Sequence, residues 1–206
     1  MTETLSTTAD LAIDEPTADL LFRTARTTRQ WTDAEVTDDE IEAAWSLAKF
    51  GPTAMNSLPL RFAVVRTPEA KARLVELMPD GNKAKVDAAP ATLVLAYDPN
   101  FHEHMDALYP VYPGIKEQLA PAHEMRDGMA RTNALLQTGY LIVGLRAAGL
   151  AAGPMHAADY DAVDAELFAD KGYKSFLVVG VGHAEGEGAS HPRLPRFELT
   201  DVAHTL

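Results

Sequence analysis

The segment that decides the fold is EMRDGMARTNALLQTGYLIVGLRAA, which runs from Glu124 to Ala148. Its apolar residues recur at helical spacing and Gly149 follows as a stop signal, so the sequence predicts one long helix. Small and apolar residues are more numerous here than one small core needs. The helix is therefore expected at the centre of the core or in a dimer. The residues expected on its apolar side are Leu135, Leu136, Gly139, Tyr140, Ile142 and Val143.

Three apolar runs outside this helix predict strands. They are RFAVVR at 61–66, ATLVLAY at 91–97 and SFLVVGVG at 175–182. Strands separated by helices, together with one long helix, are typical of α+β and α/β sandwiches. We expect the α+β class, with a central sheet that is flanked by helices.

Capping residues predict where several helices begin. Thr37 and Glu40 have the spacing of a capping box before a helix over about residues 38–49. Thr67-Pro68 begins the next helix, because proline fits the first helical position. Asp159 is expected to cap a further short helix.

The remaining segments are expected to be irregular. Residues 1–16 are polar and acidic without periodic apolar positions, which indicates a disordered lead. Residues 17–206 are expected to form a single domain that begins with a helix near Thr17. Residues 100–122 carry several prolines and aromatic residues, and we interpret them as an excursion or lid. Gly153-Pro154 is interpreted as a turn.

Composition narrows the classes of function. The chain has 206 residues, with 18 Lys and Arg against 30 Asp and Glu, so its net charge is −12. This charge argues against a surface for nucleic acid or anionic membranes. The absence of Cys excludes disulfides, thiolate nucleophiles and Cys-ligated metals. With neither a long apolar run nor a signal-peptide pattern, we expect a cytoplasmic protein without a membrane span.

Five short segments carry the candidates for chemistry. Arg26-Thr27-Thr28-Arg29 offers guanidinium groups and hydroxyls within four residues, which suits a phosphate dianion. Taken alone, it is better explained as a solvated helix end, where cations favour the helix dipole. Residues 51–57 form a small, polar loop that a ligand could approach closely. Taken alone, this loop is better explained as an ordinary helix–strand connection.

The third segment contains Asn82 and Lys85. These residues are three apart and share one face if the segment is helical. An amide and an ammonium can recognise the edge of a flat heteroaromatic ring, although a surface turn explains the segment better on its own. The fourth and fifth segments are Gly153-Pro154-Met155-His156 and Arg193-Leu194-Pro195-Arg196.

In this order and spacing, the five segments resemble the flavin-binding signature of the nitroreductase family. The resemblance runs from about Thr24 to the C-terminus. Thr27 stands where the family usually has serine, Leu58 where many members have glutamine, and His156 at a turn position that is often acidic or small. These departures concern the substrate pocket more than the flavin site. Within the family, the malonic semialdehyde reductase branch of pyrimidine degradation looks most similar.

The resemblance implies the nitroreductase fold and a homodimer with two FMN molecules at its interface. The residues implied at the FMN phosphate are Arg26, Thr27 and Arg193. Those implied along the pyrimidine side of the flavin ring are Arg29, Asn82 and Lys85. Those implied near flavin N5 are Pro154, Met155 and His156. Those implied to come from the partner subunit are Pro52, Thr53, Ala54 and Asn56.

The same resemblance implies an FMN-dependent NAD(P)H oxidoreductase. NADH or NADPH would supply a hydride, and malonic semialdehyde would accept it to give 3-hydroxypropionate. The flavin carries the chemistry, so neither a catalytic side chain nor a metal is expected. The alternatives left open are a general nitro- or quinone reductase and a non-catalytic flavin-binding partner or sensor. The candidates for contact with the acceptor carboxylate are His156, Arg126 and Arg131.

Overall fold

The computed structural model describes residues 11–186 and 192–206. Its helices are α1 (Glu15–Ala18), α2 (Asp38–Ala48), α3 (Pro68–Glu76), α4 (Asp80–Ala88), α5 (Met105–Leu108), α6 (Ile115–Leu119), α7 (His123–Ala147), α8 (Tyr160–Leu167) and α9 (Leu199–Val202). Its strands are β1 (Leu60–Val65), β2 (Ala91–Tyr97), β3 (Ala151–Met155) and β4 (Lys174–Gly182). Within the described ranges, no helix combines the length and the apolar character needed to cross a membrane.

The four strands form one antiparallel sheet in the order β1-β2-β4-β3. Leu60 lies opposite Tyr97 at one end of the β1–β2 pair, and Ala91 lies opposite Val181 in the β2–β4 pair. Every residue of β2 is buried, as expected for a strand that is covered on both faces. The antiparallel sheet and its flanking helices confirm the α+β class. The three predicted strands are also confirmed, to within one residue at each end.

Helices cover both faces of the sheet, and side chains alternate between the two faces. Leu93 and Leu95 of β2 face the layer formed by α2 and α7. Val94, between them, faces the layer that contains Leu74 of α3 and Val163 of α8. Each fully buried aliphatic side chain of this kind contributes about 1.5–3 kcal/mol to folding. The sheet is therefore the rigid layer that positions the surrounding loops and the residues at its own edges.

The long helix α7 is confirmed, but much of the side predicted to be its apolar face does not pack on the core; of the large residues predicted there, Ile142 does. Leu135, Leu136 and Tyr140 are exposed to 45%, 50% and 47%. Small residues let the other side approach α2 closely, since a Cβ at Gly144 would lie 2.6 Å from the backbone oxygen of Ala44. Hydrophobicity alone identifies the larger side chains and misses the small ones that permit close packing.

The predicted turn at Gly153-Pro154 is wrong, because both residues lie in β3. β3 is an edge strand, where proline is tolerated. Ala152 turns its carbonyl away from the sheet, to the N–H of Thr28 at 3.2 Å. Backbone groups alternate in direction along a strand, so Pro154 lacks its N–H on that same outer side. The ladder with β4 therefore loses no donor, and a fourth strand forms where the sequence signals suggest a break.

The predicted helix caps are confirmed. The hydroxyl of Thr37 accepts from the N–H of Glu40 at 3.2 Å, and the Glu40 carboxylate accepts from the N–H of Thr37 at 2.8 Å. This reciprocal pair is a capping box at the start of α2. Thr67 and Asp159 cap α3 and α8 in the predicted positions.

The two segments expected to be irregular contain short helices. α1 begins at Glu15 rather than near Thr17, because the Asp14 carboxylate accepts from the N–H of Thr17 at 2.9 Å. It continues as a π-helical turn to Arg23. Residues 1–10 of the expected lead lie outside the described residues. The excursion at 100–122 contains a 3-10 turn, α5 and α6.

Candidate functional site

An extended segment, residues 24–32, runs along the outer edge of β3. The N–H of Thr28 donates to Ala152, and the N–H of Thr32 donates to the carbonyl of His183 at 2.9 Å. Gly153 permits this approach, because a Cβ there would lie 2.7 Å from the carbonyl oxygen of Thr28. The basic stretch at 26–29 is therefore extended backbone at a sheet edge rather than the end of a helix.

A pocket of about 200 Å³ lies between this segment, β3 and the C-terminal half of α7. It is lined by Leu21, Ala25, Arg26, Thr27, Ile142, Val143, Arg146, Ala152 and Pro154. Two of these residues are arginines and none is acidic, although the chain carries a net charge of −12. The pocket brings together three of the predicted site residues, which are Arg26, Thr27 and Pro154. Such a donor set suits a phosphate or a similar anion.

Arg146 lines this pocket and is not among the residues predicted from the sequence. Its guanidinium donates to the carbonyl of Leu20 at 3.1 and 3.3 Å, which holds it near the first helical turns. A signal was present, since Arg146 is the single charge in the apolar stretch 139–154. A charge surrounded by apolar residues usually has a specific partner or function.

Arg193 lies beside the same pocket. It donates to the carbonyls of Arg23 and Ala25, the second at 3.0 Å. Ala25 lines the pocket and directly precedes Arg26, so the C-terminal segment is fixed next to the pocket. Arg193 therefore lies near Arg26, and its role at a phosphate stays a prediction.

A second group of predicted residues meets at the end of β3. Lys85 Nζ donates to Asn82 Oδ1 at 2.6 Å, and Asn82 Nδ2 donates to the carbonyl of His156 at 3.1 Å. The two residues share one face of α4, as their spacing predicts. His156 Nδ1 lies 3.1 Å from Tyr160 Oη, and burial raises the pKa of Tyr160. Among the residues that the structure describes, Lys85 has no carboxylate partner, so its charge is available to a ligand.

Met155 and Arg29 are placed differently from their neighbours. Side chains alternate along β3, so Pro154 faces the pocket whereas Met155 packs on the opposite side with the core cluster that contains Val178. Arg29 is exposed and makes no hydrogen bond or ion pair with residues 11–186 or 192–206. Of the residues implied along the flavin ring, only Asn82, Lys85 and His156 are joined by contacts.

The residues implied to come from a partner subunit lie elsewhere, in the α2–β1 loop (residues 51–59). The N–H of Ala54 donates to Asn133 Oδ1 at 2.7 Å, and Asn56 Nδ2 donates to the carbonyl of Leu108 at 2.8 Å. In the described part of the chain, no hydrogen bond joins this loop to the other four segments. Pro52, Thr53, Ala54 and Asn56 are thus separate from the pocket beside β3.

The α2–β1 loop has a strained backbone. Met55, Asn56 and Leu58 have φ angles of 53°, 52° and 41°, in the left-handed region that disfavours residues with a Cβ. The hydroxyl of Thr53 accepts from the N–H of Leu58 at 3.3 Å and helps to hold the turn. Non-glycine residues in this region cost on the order of 1–3 kcal/mol each and concentrate at functional sites. The sequence carries no signal for this strain, because none of the three residues is glycine.

Comparisons with known proteins show the family and the fold of this chain. The nitroreductase family profile matches residues 22–183. A Streptomyces coelicolor protein provisionally named NADH dehydrogenase/NAD(P)H nitroreductase is 44% identical over 196 residues, which cover 95% of this chain and 99% of the relative. A nitroreductase family protein from Streptococcus pneumoniae shares the fold, with a TM-score of 0.78 at 21% identity over 90% of this chain and 98% of that one.

A provisionally named nitroreductase from Exiguobacterium sibiricum, solved in complex with FMN, also shares the fold. Its TM-score is 0.76 at 20% identity, and the match covers 97% of this chain and 100% of that one. The family profile extends from Phe22 through β4, so it includes the Asn82–Lys85 pair, the α2–β1 loop and every lining residue of the pocket except Leu21, whereas Arg193 lies beyond it. The chain therefore belongs to the nitroreductase family of oxidoreductase enzymes.

Proposed function

We propose that this enzyme is an FMN-dependent NAD(P)H oxidoreductase. The observation that carries the proposal is the pocket beside β3, which Arg26, Thr27 and Arg146 line together and whose described lining residues include no acid. Guanidinium and hydroxyl groups form charge-assisted hydrogen bonds with phosphate oxygens, so this donor set fits the FMN phosphate. Arg193 adds a further cation next to Arg26.

The flavin ring would be held by residues at the far end of β3. Asn82, Lys85 and His156 are already joined there by hydrogen bonds, and β3 itself carries Pro154 into the pocket. FMN, when bound, accepts a hydride from the nicotinamide and passes it to the acceptor. Lys85 would place a positive charge by the ring and so favour its uptake of electrons. The position proposed for Arg29 is the pyrimidine side. Met155 would reach the N5 side only through its backbone, because its side chain packs with the core.

We also propose a homodimer with a shared site. α7 exposes Leu135, Leu136 and Tyr140, and Phe50 at the end of α2 is exposed to 80%. Exposed apolar side chains of this number favour an interface between subunits. The separation of the α2–β1 loop from the pocket supports a role on the partner's flavin for Pro52, Thr53, Ala54 and Asn56.

NADH or NADPH is the proposed hydride donor, on the basis of the names of the relatives. The proposed acceptor is malonic semialdehyde, reduced to 3-hydroxypropionate, on the basis of the similarity of the five segments to that branch. His156 is the favoured contact for the acceptor carboxylate, because it is exposed beside Asn82. Arg126 is less suited, since it is buried and donates to His102 and His123. A cytoplasmic location stays a prediction from the sequence.

A second candidate is a general nitro- or quinone reductase. A largely apolar pocket of about 360 Å³ is lined by Trp45, Leu58, Leu60, Arg61, His104, Ala107 and Leu108. Leu58 belongs to the α2–β1 loop, so a flat apolar acceptor would find contacts next to the shared site. A non-catalytic flavin-binding partner or sensor is the third reading, and it predicts bound FMN without turnover.

The first test is the absorption spectrum of the purified protein and its loading with FMN. A colourless protein that cannot be loaded with FMN contradicts the whole proposal. NADH and NADPH oxidation then separates an enzyme from a sensor. Comparison of kcat/KM for malonic semialdehyde, a quinone and a nitroaromatic decides the acceptor. Turnover of quinones without turnover of the aldehyde acid would leave the general reductase as the function.

A further inference from the structure

Two amide side chains reach from the inward face of α7 to the ends of the α2–β1 loop. Asn133 Oδ1 accepts from the N–H of Ala54 at 2.7 Å, and Gln137 Oε1 accepts from the N–H of Leu60 at 3.0 Å. Both side chains are buried, with residue exposures of 4% and 0%. They are four residues apart, so they lie one above the other on one helix face.

The chemistry of these amides indicates a specific role. Asn133 Nδ2 donates to the carbonyl of Met129 at 2.8 Å, which turns Oδ1 towards the loop. Gln137 Nε2 is buried and has no hydrogen-bond partner in the described part of the chain. An unpaired buried donor is unfavourable, and an apolar side chain of the same shape would avoid it. What Gln137 adds at this position is the acceptor for Leu60.

A third contact from α7 fixes the start of the loop. A Cβ at Gly51 would lie 2.7 Å from Cγ of Tyr140, so the tyrosine ring packs directly on the glycine backbone. The three contacts therefore secure residues 51, 54 and 60, and the residues with positive φ lie between the last two. Such a conformation persists only where the surrounding structure determines it from several sides.

We infer that Asn133 and Gln137 are positioning residues, which hold the α2–β1 loop in the conformation that binds the partner's flavin. The inference rests on the proposed function, because that function gives the loop its role at FMN. Leu135 is exposed on the opposite face of α7 and Leu136 on its flank, so one rigid helix carries both the loop contacts and the proposed subunit contact. The loop is preorganised, and the second subunit needs only to dock.

The test uses Asn133→Leu and Gln137→Met, which keep side-chain volume and remove the acceptor. Thr138→Val is the matched control, because Thr138 is also buried on α7 and donates only within the helix, to Ala134 at 2.8 Å. The measurements are amide hydrogen exchange, the FMN Kd of the full-length protein, and Tm. We expect faster exchange of the Ala54 amide in Asn133→Leu and of the Leu60 amide in Gln137→Met.

The FMN Kd should rise about tenfold in each amide variant, equivalent to about 1.4 kcal/mol. Thr138→Val should leave the FMN Kd within about twofold of the wild-type value, even if its Tm falls as much as that of the amide variants. The inference is overturned if neither exchange nor Kd changes, or if Thr138→Val loses as much FMN affinity as the amide variants. It stands if the loss of affinity follows the loss of amide protection.

Wild-type exchange separates this inference from the proposed function. In the unaltered protein, the amides of Ala54 and Leu60 should exchange more slowly than that of Met55, even before FMN is added. If the amides of Ala54 and Leu60 exchange as fast as that of Met55, the inference is overturned. Because this measurement uses the unaltered protein, it tests the inference even if a variant does not fold. A wild-type protein that shows the slow amides but binds no FMN would contradict the proposed function alone.

Discussion

The β3 region and the α2–β1 loop hold their candidate residues in different ways. The β3 region comprises the segment 24–32, β3, Asn82, Lys85, His156 and Arg193. Backbone hydrogen bonds hold the segment 24–32 at the sheet edge, and side-chain hydrogen bonds attach Asn82 and Arg193 to nearby carbonyls. The loop is fixed mainly by side chains of α7, and its own backbone is strained. The first region forms a pocket lined by two arginines within one chain, whereas the loop contributes only Leu58 to the separate apolar pocket.

This difference indicates how the proposed site would be divided between subunits. A sheet edge can extend regular backbone without strain, so it suits a pocket that one chain completes by itself. A loop that contacts the flavin of another subunit is not held in place by the pocket of its own subunit. It binds best if other contacts make it rigid before the subunits associate. If the two regions are separable, a change in one should leave the structure of the other intact.

The largest effect is expected from breaking the proposed interface. Leu136→Glu places a charge on the exposed face of α7, where burial without a partner is costly. It should convert a dimer to a monomer and remove FMN binding, while the pocket beside β3 remains folded. Light scattering and FMN titration measure the two outcomes. Met125→Glu, an exposed position about three turns away on the same helix, is the control. A monomer that binds FMN normally would contradict a shared site.

A smaller but still large effect is expected from Gly153→Ala. The added Cβ would meet the carbonyl oxygen of Thr28 at 2.7 Å and push the segment 24–32 from β3. Overpacking of this kind costs about 1–3 kcal/mol. FMN affinity and Tm should both fall, while exchange of the Ala54 amide stays slow because the loop is anchored elsewhere. Gly128→Ala, where a Cβ meets nothing within 4 Å, should preserve both. If Gly153→Ala speeds amide exchange equally in the segment 24–32 and in the α2–β1 loop, the two regions are not separable.

Arg26→Ala tests the phosphate assignment within the β3 region. Loss of a charge-assisted hydrogen bond costs about 1.5–3 kcal/mol, so the FMN Kd should rise roughly 10- to 100-fold. Riboflavin lacks the phosphate, and its Kd should change little. Flavin fluorescence gives both constants. If FMN and riboflavin weaken equally, Arg26 acts on the ring or on the fold and the phosphate assignment fails.

Lys85→Met tests the other end of the β3 region. Removal of the positive charge should make electron uptake by the bound flavin less favourable, while the methionine keeps most of the side-chain volume. We expect the midpoint potential to fall on the order of 30 mV, equivalent to about 1.4 kcal/mol for a two-electron couple. Spectroelectrochemistry measures the potential. An unchanged potential together with unchanged FMN affinity would remove Lys85 from the site.

The smallest effect is a pH dependence in the segment 100–122, which contacts the α2–β1 loop through Leu108. His102 lies against Arg126, and burial together with this guanidinium lowers the pKa of His102 below its ordinary 6.5. The folded state therefore binds fewer protons than the unfolded state as the pH falls below about 6.5. Stability should be constant above that pH and decrease below it, until the folded-state pKa is passed. A Tm loss of a few degrees is expected from His102. His102→Gln should flatten this part of the Tm–pH curve, and a curve of unchanged slope would exclude His102 as its cause.

The sequence by itself determined the elements that depend on local chemistry. The run 91–97 forms a strand of those same bounds, because a continuous apolar segment between two prolines fits a doubly covered strand. The capping box at Thr37 and Glu40 forms as predicted, because its two bonds join residues three apart. Asn82 and Lys85 meet for the same reason, since helical spacing alone puts them on one face.

Only the tertiary structure decided which side of α7 is buried, that Gly153 and Pro154 form a strand, and that Arg146 joins the pocket. Each of these depends on a neighbour far away in the chain: the close approach of α2 to Gly144, the edge of β4 and the segment 24–32, and the first helical turns. The positive φ angles at Met55, Asn56 and Leu58 belong to the same group. Local preference opposes them, and contacts from α7 hold them in place, so nothing in the loop's own sequence could reveal them.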